Sequence, residues 1–403
     1  MPGLRTAVLW ARFGPYHLAR LDAAHDLMRA HGEELVGIET ASRDGIYAWR
    51  VERSQATWAR EVALPERVYE AASAAEMHAA VTETLDRVAP DAVAFSSYAT
   101  PDARAALAWC RRHRAAAVLM TDSRANDAPR AAWREWVKRI LVREADAALV
   151  AGSQSRAYAV SLGMPPDAVF SPLDVVDSDA FARAAAGSRS PLGGAPYFLS
   201  VSRLTTVKNV STLIEAYRAY RSGEPEPWSL VIVGDGSERE GLQAAAPDGV
   251  VFTGFLQIEH LAAFYAHTGG FVLPTWKDTW GLVVNEAMAC GAPVLVSGAA
   301  GCAADLVRDG VNGFVFDPAD AEGLAELLRR LANAPSTARR AMGEHSRAII
   351  ADYGPHDFAR ALRAATLHGQ DRAARGLSLR GALALGVLRR LARRPGSFHA
   401  IPD

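Results

Sequence analysis

Between Phe271 and Ser297 the chain reads FVLPTWKDTWGLVVNEAMACGAPVLVS. An apolar strand-like run, Phe271 to Leu273, enters a loop that carries Asp278 and Gly281. A helix-like stretch follows, with Glu286 near its start and Gly291-Ala292-Pro293 at its end, and then a second apolar run, Val294 to Val296. Strand, loop, helix and strand in so short a span constrain the chain to one turn of a parallel-sheet unit. The N–H groups that open such a helix favour phosphate. A carboxylate beside them repels phosphate and suits sugar or ribose hydroxyls instead. Two carboxylates around a helix start thus point to a ligand that has both a phosphate and a polyol, as a nucleotide sugar has.

The same alternation runs through the rest of the chain. Strand-like runs at Ala7–Trp10, Leu35–Ile38, Ala92–Phe95, Ala117–Met120 and Ala147–Val150 are separated by helical patterns at Leu18–His31, Ala71–Val88, Pro101–His113 and Trp133–Glu144. A Gly/Ser/Pro-rich stretch, GSRSPLGGAP at 187–196, reads as an interdomain linker. Beyond it strands are expected at Tyr197–Val201, Ser229–Val233, Val250–Thr253 and Gly313–Phe316. Helices are expected at Val210–Tyr220, Glu238–Ala246, Ile258–Ala266 and Asp320–Ala332. The expected fold class is α/β: two Rossmann-like, doubly wound parallel-sheet domains. The expected boundaries are 1–186 for the first, 195–370 for the second and 371–403 for a C-terminal tail.

Composition narrows the function. At 403 residues two domains are expected. Lys and Arg number 44 against 45 Asp and Glu, so no basic excess argues for nucleic acid. Cys110, Cys290 and Cys302 have no metal-ligand spacing and read as buried reduced thiols. The N-terminus runs straight into a strand without a basic-then-apolar signal, and no run of about 20 apolar residues occurs. A cytoplasmic protein is expected. From Arg372 to Arg394 the tail holds seven arginines and no acid, interleaved with leucines. It reads either as a basic amphipathic helix on an anionic membrane, as a helix packed on the protein, or as a disordered tail.

A second cluster of candidates leaves the strand at Val201. Arg203 and Lys208, five apart, either are solvated surface charges, the commoner case for such a pair alone, or clamp a diphosphate, the first by its guanidinium fork and the second as a point charge. Both can stabilise a departing nucleoside diphosphate without a metal. Gly234, Gly236 and Gly254 stand at strand ends, either for turn chemistry or to let the backbone approach a flat base. Trp276 and Trp280 flank Asp278, either stacked on a sugar face or, more commonly for Trp, packed in a core. Asp177-Ser178-Asp179 spells an Asp-x-Asp metal motif but falls at the domain junction, so no metal and no other cofactor is expected.

The segment resembles the signature of family-4 retaining glycosyltransferases, which have the GT-B fold. That signature is Glu, seven residues, Glu, then Ala-Met-Ala-x-Gly-x-Pro-Val. Here it reads Asp278, seven residues, Glu286, then Ala287-Met288-Ala289-Cys290-Gly291-Ala292-Pro293-Val294. The first acid is Asp, one methylene shorter. Ser202 and Asn209 stand where the family usually has glycines around its Arg and Lys. The resemblance implies that Glu286 bonds the ribose hydroxyls and Asp278 the donor sugar. It implies that the amides of Gly281, Leu282 and Val283 contact phosphate and sugar, and that Gly254, Phe255 and Leu256 hold the base. Two domains facing a central cleft are also implied, the first taking the acceptor.

In that first domain Arg12-Phe13-Gly14-Pro15-Tyr16-His17 follows the opening strand. In the family this loop is glycine-rich and approaches the diphosphate and the acceptor; here Gly14 is retained, and Tyr16 is a candidate for acceptor or sugar contact. His17 either bonds a sugar hydroxyl or the acceptor, or is a capping or packing histidine. The family's donor-contacting histidine is missing; Asp122, Ser123 and Arg124 occupy a strand exit instead, as candidates for donor or acceptor hydroxyls or, for Arg124, an acidic acceptor. Asp305, after Gly301, reads as a helix cap. The expected activity is retaining transfer from a UDP- or GDP-hexose to a saccharide or lipid-linked acceptor in cell-surface glycan synthesis. The mechanism expected is front-face displacement, in which the leaving diphosphate takes the acceptor's proton. The rivals are a non-catalytic nucleotide-sugar-binding or scaffold protein and a sugar-nucleotide epimerase on the same fold.

Overall fold

The structure is a computed structural model and describes residues 3–43, 57–127, 132–373 and 378–391. The chain divides into two compact units, residues 1–175 with 355–402, and residues 176–354.

Among the described residues the first unit holds a seven-stranded sheet: β1 Arg5–Trp10, β2 Glu34–Arg43, β3 Ala59–Val68, β4 Ala92–Ser96, β5 Ala116–Thr121, β6 Ala147–Val150 and β7 Val169–Phe170. Its order is β3-β2-β1-β4-β5-β6-β7, every neighbouring pair parallel. The second unit holds β8 Tyr197–Val201, β9 Ser229–Val233, β10 Val250–Gly254, β11 Gly270–Leu273, β12 Val294–Ser297 and β13 Gly313–Phe316, ordered β10-β9-β8-β11-β12-β13 and again parallel throughout. This is the pair of Rossmann-like sheets of the GT-B fold. β5, β8 and β11 are buried at every position, as strands covered by helices on both faces must be.

Strand order fixes where ligands can bind. In each sheet the order in which successive strands are laid down reverses once, between β1 and β4 in the first and between β8 and β11 in the second. A crevice opens outside the carboxyl ends of the strands at such a switch point. In the second sheet the two loops there are the one after Val201 and the one after Leu273.

The boundaries differ from those expected. The helix Pro355–Gln370 belongs to the first unit, not the second. Its Phe358 is fully buried and stacks on Trp10 at 6.2 Å, and its Arg363 makes a two-toothed ion pair with Glu33 at 2.7 and 2.9 Å. The Arg20 guanidinium, buried near this helix, lies 6.0 Å from the Phe358 ring and donates to the Val175 carbonyl at 2.9 and 3.1 Å. At the other boundary the helix Ser178–Ala186 already belongs to the second unit, capped by Asp177, which accepts from the Ala180 amide at 2.8 Å. Its Phe181 packs edge-on against Tyr265. The stretch 187–196 therefore lies inside the second unit. Composition marks chain without side chains to pack; it does not mark where the partners of an apolar helix are.

β3 was not legible in the sequence. It is an edge strand whose short apolar run, Val62-Ala63-Leu64, is flanked by charged residues, Arg60 and Glu61 before it and Glu66 and Arg67 after it. Of the basic tail, residues 374–377 and 392–403 lie outside the described residues. The helix Leu379–Leu391 packs on the helix Ala132–Glu144, with Ala384 and Leu385 buried and the Ser378 amide donating to the Glu144 carboxylate at 3.3 Å. Among the described residues no helix is long and apolar enough to cross a membrane.

Candidate functional site

In the second unit the loops leaving β8 and β11 are sewn together. The Val207 carbonyl accepts from the Trp276 amide at 2.9 Å and from the Thr275 hydroxyl at 3.0 Å. Asn209 is buried with φ +55°, a left-handed conformation that Gly adopts freely and Asn tolerates best among the others. Its side-chain amide donates to the Pro274 and Pro318 carbonyls, both at 2.9 Å. The Asn in place of the family's glycine is thereby explained: it meets the backbone demand and adds two hydrogen bonds between loops.

That sewing brings Lys208 to Asp278, 70 positions on. The ammonium donates to Asp278 Oδ2 at 2.6 Å, and both side chains are mostly buried. Arg203 is exposed, and among the described residues its guanidinium has no hydrogen bond or ion pair. The Asp278 loop is held from behind. Ala300 bridges to Asp278, the Gly301 amide donates to the Asp278 carbonyl at 3.0 Å, and the Cys302 amide to the Trp280 carbonyl at 3.0 Å. A Cβ on Gly301 would stand 1.9 Å from the Thr279 carbonyl oxygen, so only glycine fits. Gly281, at φ +103°, then opens the helix Leu282–Ala289. The first amides of that helix, Leu282 and Val283, have no intrahelical acceptor and point out of its N-terminus.

Glu286 lies one turn further and is 2% exposed. The buried Tyr265 donates its hydroxyl to Glu286 Oε2 at 2.8 Å. Trp280 is buried, donates from its indole to Asn285 at 3.0 Å and stacks on Tyr353, whereas Trp276 is half exposed beside the loop. Gly234 has φ +137°, and a Cβ there would meet the Ser202 carbonyl oxygen at 1.8 Å; one on Gly236 would meet that of Leu204 at 2.3 Å. Both glycines let the turn after β9 lie against the Arg203 loop. Gly254 has φ +77° and passes its carbonyl to the Gly234 amide at 3.0 Å, leaving Phe255 exposed and Leu256 half buried at the same strand edge.

In the first unit the loop after β1 is fixed by side chains. The Phe13 amide donates to the buried carboxylate of Glu39 at 2.7 Å, and Arg60 grips the same carboxylate at 2.7 Å. Gly14 precedes the helix Pro15–Ala30, and its amide donates to His17 Nδ1 at 2.9 Å. The His17 ring also lies 4.6 Å from that of Trp10. Tyr16 is half buried in the first turn. At the exit of β5, Arg124 is buried and its guanidinium is committed to Asp127 at 2.9 and 3.0 Å and to Gln154 at 3.2 Å. The Ser123 amide donates to the Thr121 hydroxyl at 3.2 Å, and the Asp122 carbonyl accepts from Ser155 at 2.9 Å.

These loops can be compared with known proteins. Residues 188–349 match the family model described as Glycosyl transferases group 1. Over this segment the chain is similar to that family. Over 185 residues the chain is 36% identical to a GDP-mannose-dependent alpha-(1-6)-phosphatidylinositol monomannoside mannosyltransferase of Mycolicibacterium smegmatis, covering 42% of this chain and 48% of that protein. Over 156 residues it is 34% identical to a sulfoquinovosyl transferase of Arabidopsis thaliana, covering 38% of this chain and 29% of that one. The chain thus spans less than half the length of these curated relatives. Among solved structures, a sucrose-phosphate synthase from Thermosynechococcus elongatus superposes with a TM-score of 0.68 at 21% identity, over 92% of this chain and all of that one. HepE of Anabaena, solved with UDP, superposes with a TM-score of 0.68 at 17% identity, over 90% and 98%. The structural likeness, unlike the sequence likeness, extends over both units.

Within the group 1 segment, the structure brings Lys208, Asp278, Gly281, Leu282 and Val283 to one switch point and sets Arg203 on a loop beside it. It keeps Glu286 close behind, but under Tyr265, which nothing in the sequence marked. Thr275 and Asn209 were missed for a related reason: their hydrogen bonds join loops about 65 positions apart. Asp305 does not cap a helix; it lies inside the short helix Ala303–Leu306, whose cap is Cys302. His17, in the first turn, accepts the amide of the N-cap Gly14. Arg124 is an internal ion-pair member, because a guanidinium that deep in a protein needs a local carboxylate. All three cysteines are buried free thiols.

Proposed function

We propose that this chain is a glycosyltransferase that moves a sugar, with retention and without a bound metal, from a nucleoside-diphosphate sugar to a saccharide or lipid-linked acceptor. The observation that carries the reading is the Lys208–Asp278 pair at the β8/β11 switch point, beside a free-standing Arg203 and the open N-terminus of the helix Leu282–Ala289. A diphosphate entering there meets two cations and the first amides of a helix. Lys208 exchanges Asp278 for phosphate oxygens, and the released carboxylate is left beside the sugar that the diphosphate carries. Glu286, anchored by Tyr265, takes the ribose hydroxyls. Negative charge grows on the departing diphosphate, where the same donors hold it, and that oxygen receives the acceptor's proton.

A donor with a uridine or guanosine base is favoured, since one relative is named as GDP-mannose-dependent and one structural neighbour was solved with UDP. The lipid-linked acceptor gains support from the relative named for a phosphatidylinositol monomannoside. The proposed role is in cell-surface glycan synthesis at the cytoplasmic side of the membrane.

Calorimetric titration with UDP, GDP, ADP and dTDP, with and without magnesium, tests the reading. Tight binding of one of the first two, indifferent to magnesium, is the expected result. Binding that appears only with magnesium would overturn the metal-independent mechanism. Binding of none of the four would overturn the donor site.

A further inference from the structure

The helix Ala132–Glu144 turns an unusual face outward. Trp133 is 50% and Trp136 58% exposed, three positions apart and hence neighbours on the helix surface. Arg139 and Arg143 continue the stripe from Trp136 and are exposed, as is Arg134, whose guanidinium lies 5.4 Å from the Trp133 ring centre. Among the described residues none of these three arginines has an ion-pair partner. The acids of the same helix are turned away from solvent. Glu135 accepts from Lys138 and from Tyr158, each at 2.9 Å, and Glu144 is buried beneath Ser378. Alongside packs the helix Leu379–Leu391, which exposes Leu383 to 61% and belongs to the acid-free, arginine-rich run 372–394.

We propose that this face docks on an anionic bilayer surface. Indole rings favour the headgroup depth of a membrane, where their apolar body and polar N–H are both satisfied. Unpaired arginines on the same face are drawn to acidic lipids. A sugar would use the tryptophans but has no need of three cations, and a second copy of this chain would bring the same positive charge against itself. The residues concerned are all distinct from those of the nucleotide site, so donor binding serves as an internal control.

The test is co-sedimentation of the full chain with vesicles of phosphatidylcholine alone or mixed with phosphatidylglycerol. Binding to the mixed vesicles only, weakening as salt rises, is expected. The double variant Trp133→Ala/Trp136→Ala should lower the vesicle-bound fraction constant about tenfold, and Arg139→Glu/Arg143→Glu by at least about as much. Both pairs are solvent-facing, so nucleotide affinity and unfolding temperature should stay at wild-type values. No vesicle binding by the wild type, equal binding to both compositions, or unchanged binding by the tryptophan variant would each overturn the proposal. So would a concentration-dependent dimer that the tryptophan variant abolishes, which would assign the face to a second copy.

Discussion

The two sheets share a strand pattern but hold the loops at their switch points by different means. In the second sheet the loops after β8 and β11 are fixed largely through backbone, with a left-handed Asn209, glycines at 234, 236 and 301 that no larger residue could replace, and carbonyl-to-amide bonds between loops, to which the Asn209 and Thr275 side chains add their own. In the first sheet the loops after β1 and β5 are fixed by side chains, Glu39 and His17 for one and Asp127 with Gln154 for the other. Backbone-to-backbone fixation demands particular residues at particular spacings, because it works only where a Cβ is absent or φ is positive. Side-chain fixation can be met by many combinations. The match to the group 1 family is confined to residues 188–349, the region built the first way.

The sharpest way to break this comparison is at the paired charges. Lys208→Ala should cut transfer by about 10³, the order seen when one oxyanion donor is lost, and weaken nucleoside-diphosphate binding far more than binding of the bare nucleoside. Equal losses for both ligands would mean that Lys208 is only a partner for Asp278. Asp278→Asn, measured in the same assay, should lower transfer about 10²-fold while diphosphate affinity stays nearly intact.

Next in size is the backbone itself. Gly301→Ala forces a methyl group onto the Thr279 carbonyl and should destabilise the second unit by about 3 kcal/mol in denaturant unfolding, with loss of nucleotide binding. Gly187→Ala, which meets open space, should shift stability by no more than about 0.5 kcal/mol. If the two behave alike, the loop is not held as tightly as its contacts indicate.

A side-chain lock should cost stability without touching the nucleotide. Arg124→Ala strands the Asp127 carboxylate and should destabilise the first unit by about 2 kcal/mol. Nucleotide affinity should not change; a parallel fall in affinity would place Arg124 in the binding machinery after all.

The smallest expected effect sharpens the comparison most. Burial pushes the Cys110 thiol up to about 12, and burial followed by the charge of Glu286 does the same for Cys290. A raised thiol pKa means too little thiolate at pH 8 for alkylation of the folded protein. Modification should then proceed only through opening, with Cys110 reporting the first unit and Cys290 the second. Mass-resolved alkylation rates give each unit's opening separately, and Gly301→Ala should accelerate only Cys290. Rapid alkylation of both in the native protein would contradict the burial of these thiols.

Most of the regular elements could be read in the sequence because buried parallel strands are continuous apolar runs and their helices end in glycine or proline. Residues 229–233 and 313–316 are strands with the bounds their apolar runs suggest. β3 could not be read because an edge strand has solvent to satisfy and so carries charges. The return of Pro355–Gln370 to the first unit could not be read either, because an apolar stripe does not state which sheet it will cover.

The sequence by itself determined that there would be two parallel-sheet units and marked Arg203, Lys208, Asp278 and Glu286, with glycines near them, as candidates. The units follow from local propensity, and the candidates from residue chemistry and the resemblance of their spacing to a known signature. Only the tertiary structure decided that β8 lies beside β11, and therefore that Lys208 meets Asp278. Only it decided that Tyr265 covers Glu286, that Arg124 is turned inward, and that Trp133 and Trp136 are turned outward. Each of these depends on strand order and on which helix faces pair, contacts between residues far apart in the chain that no local rule encodes.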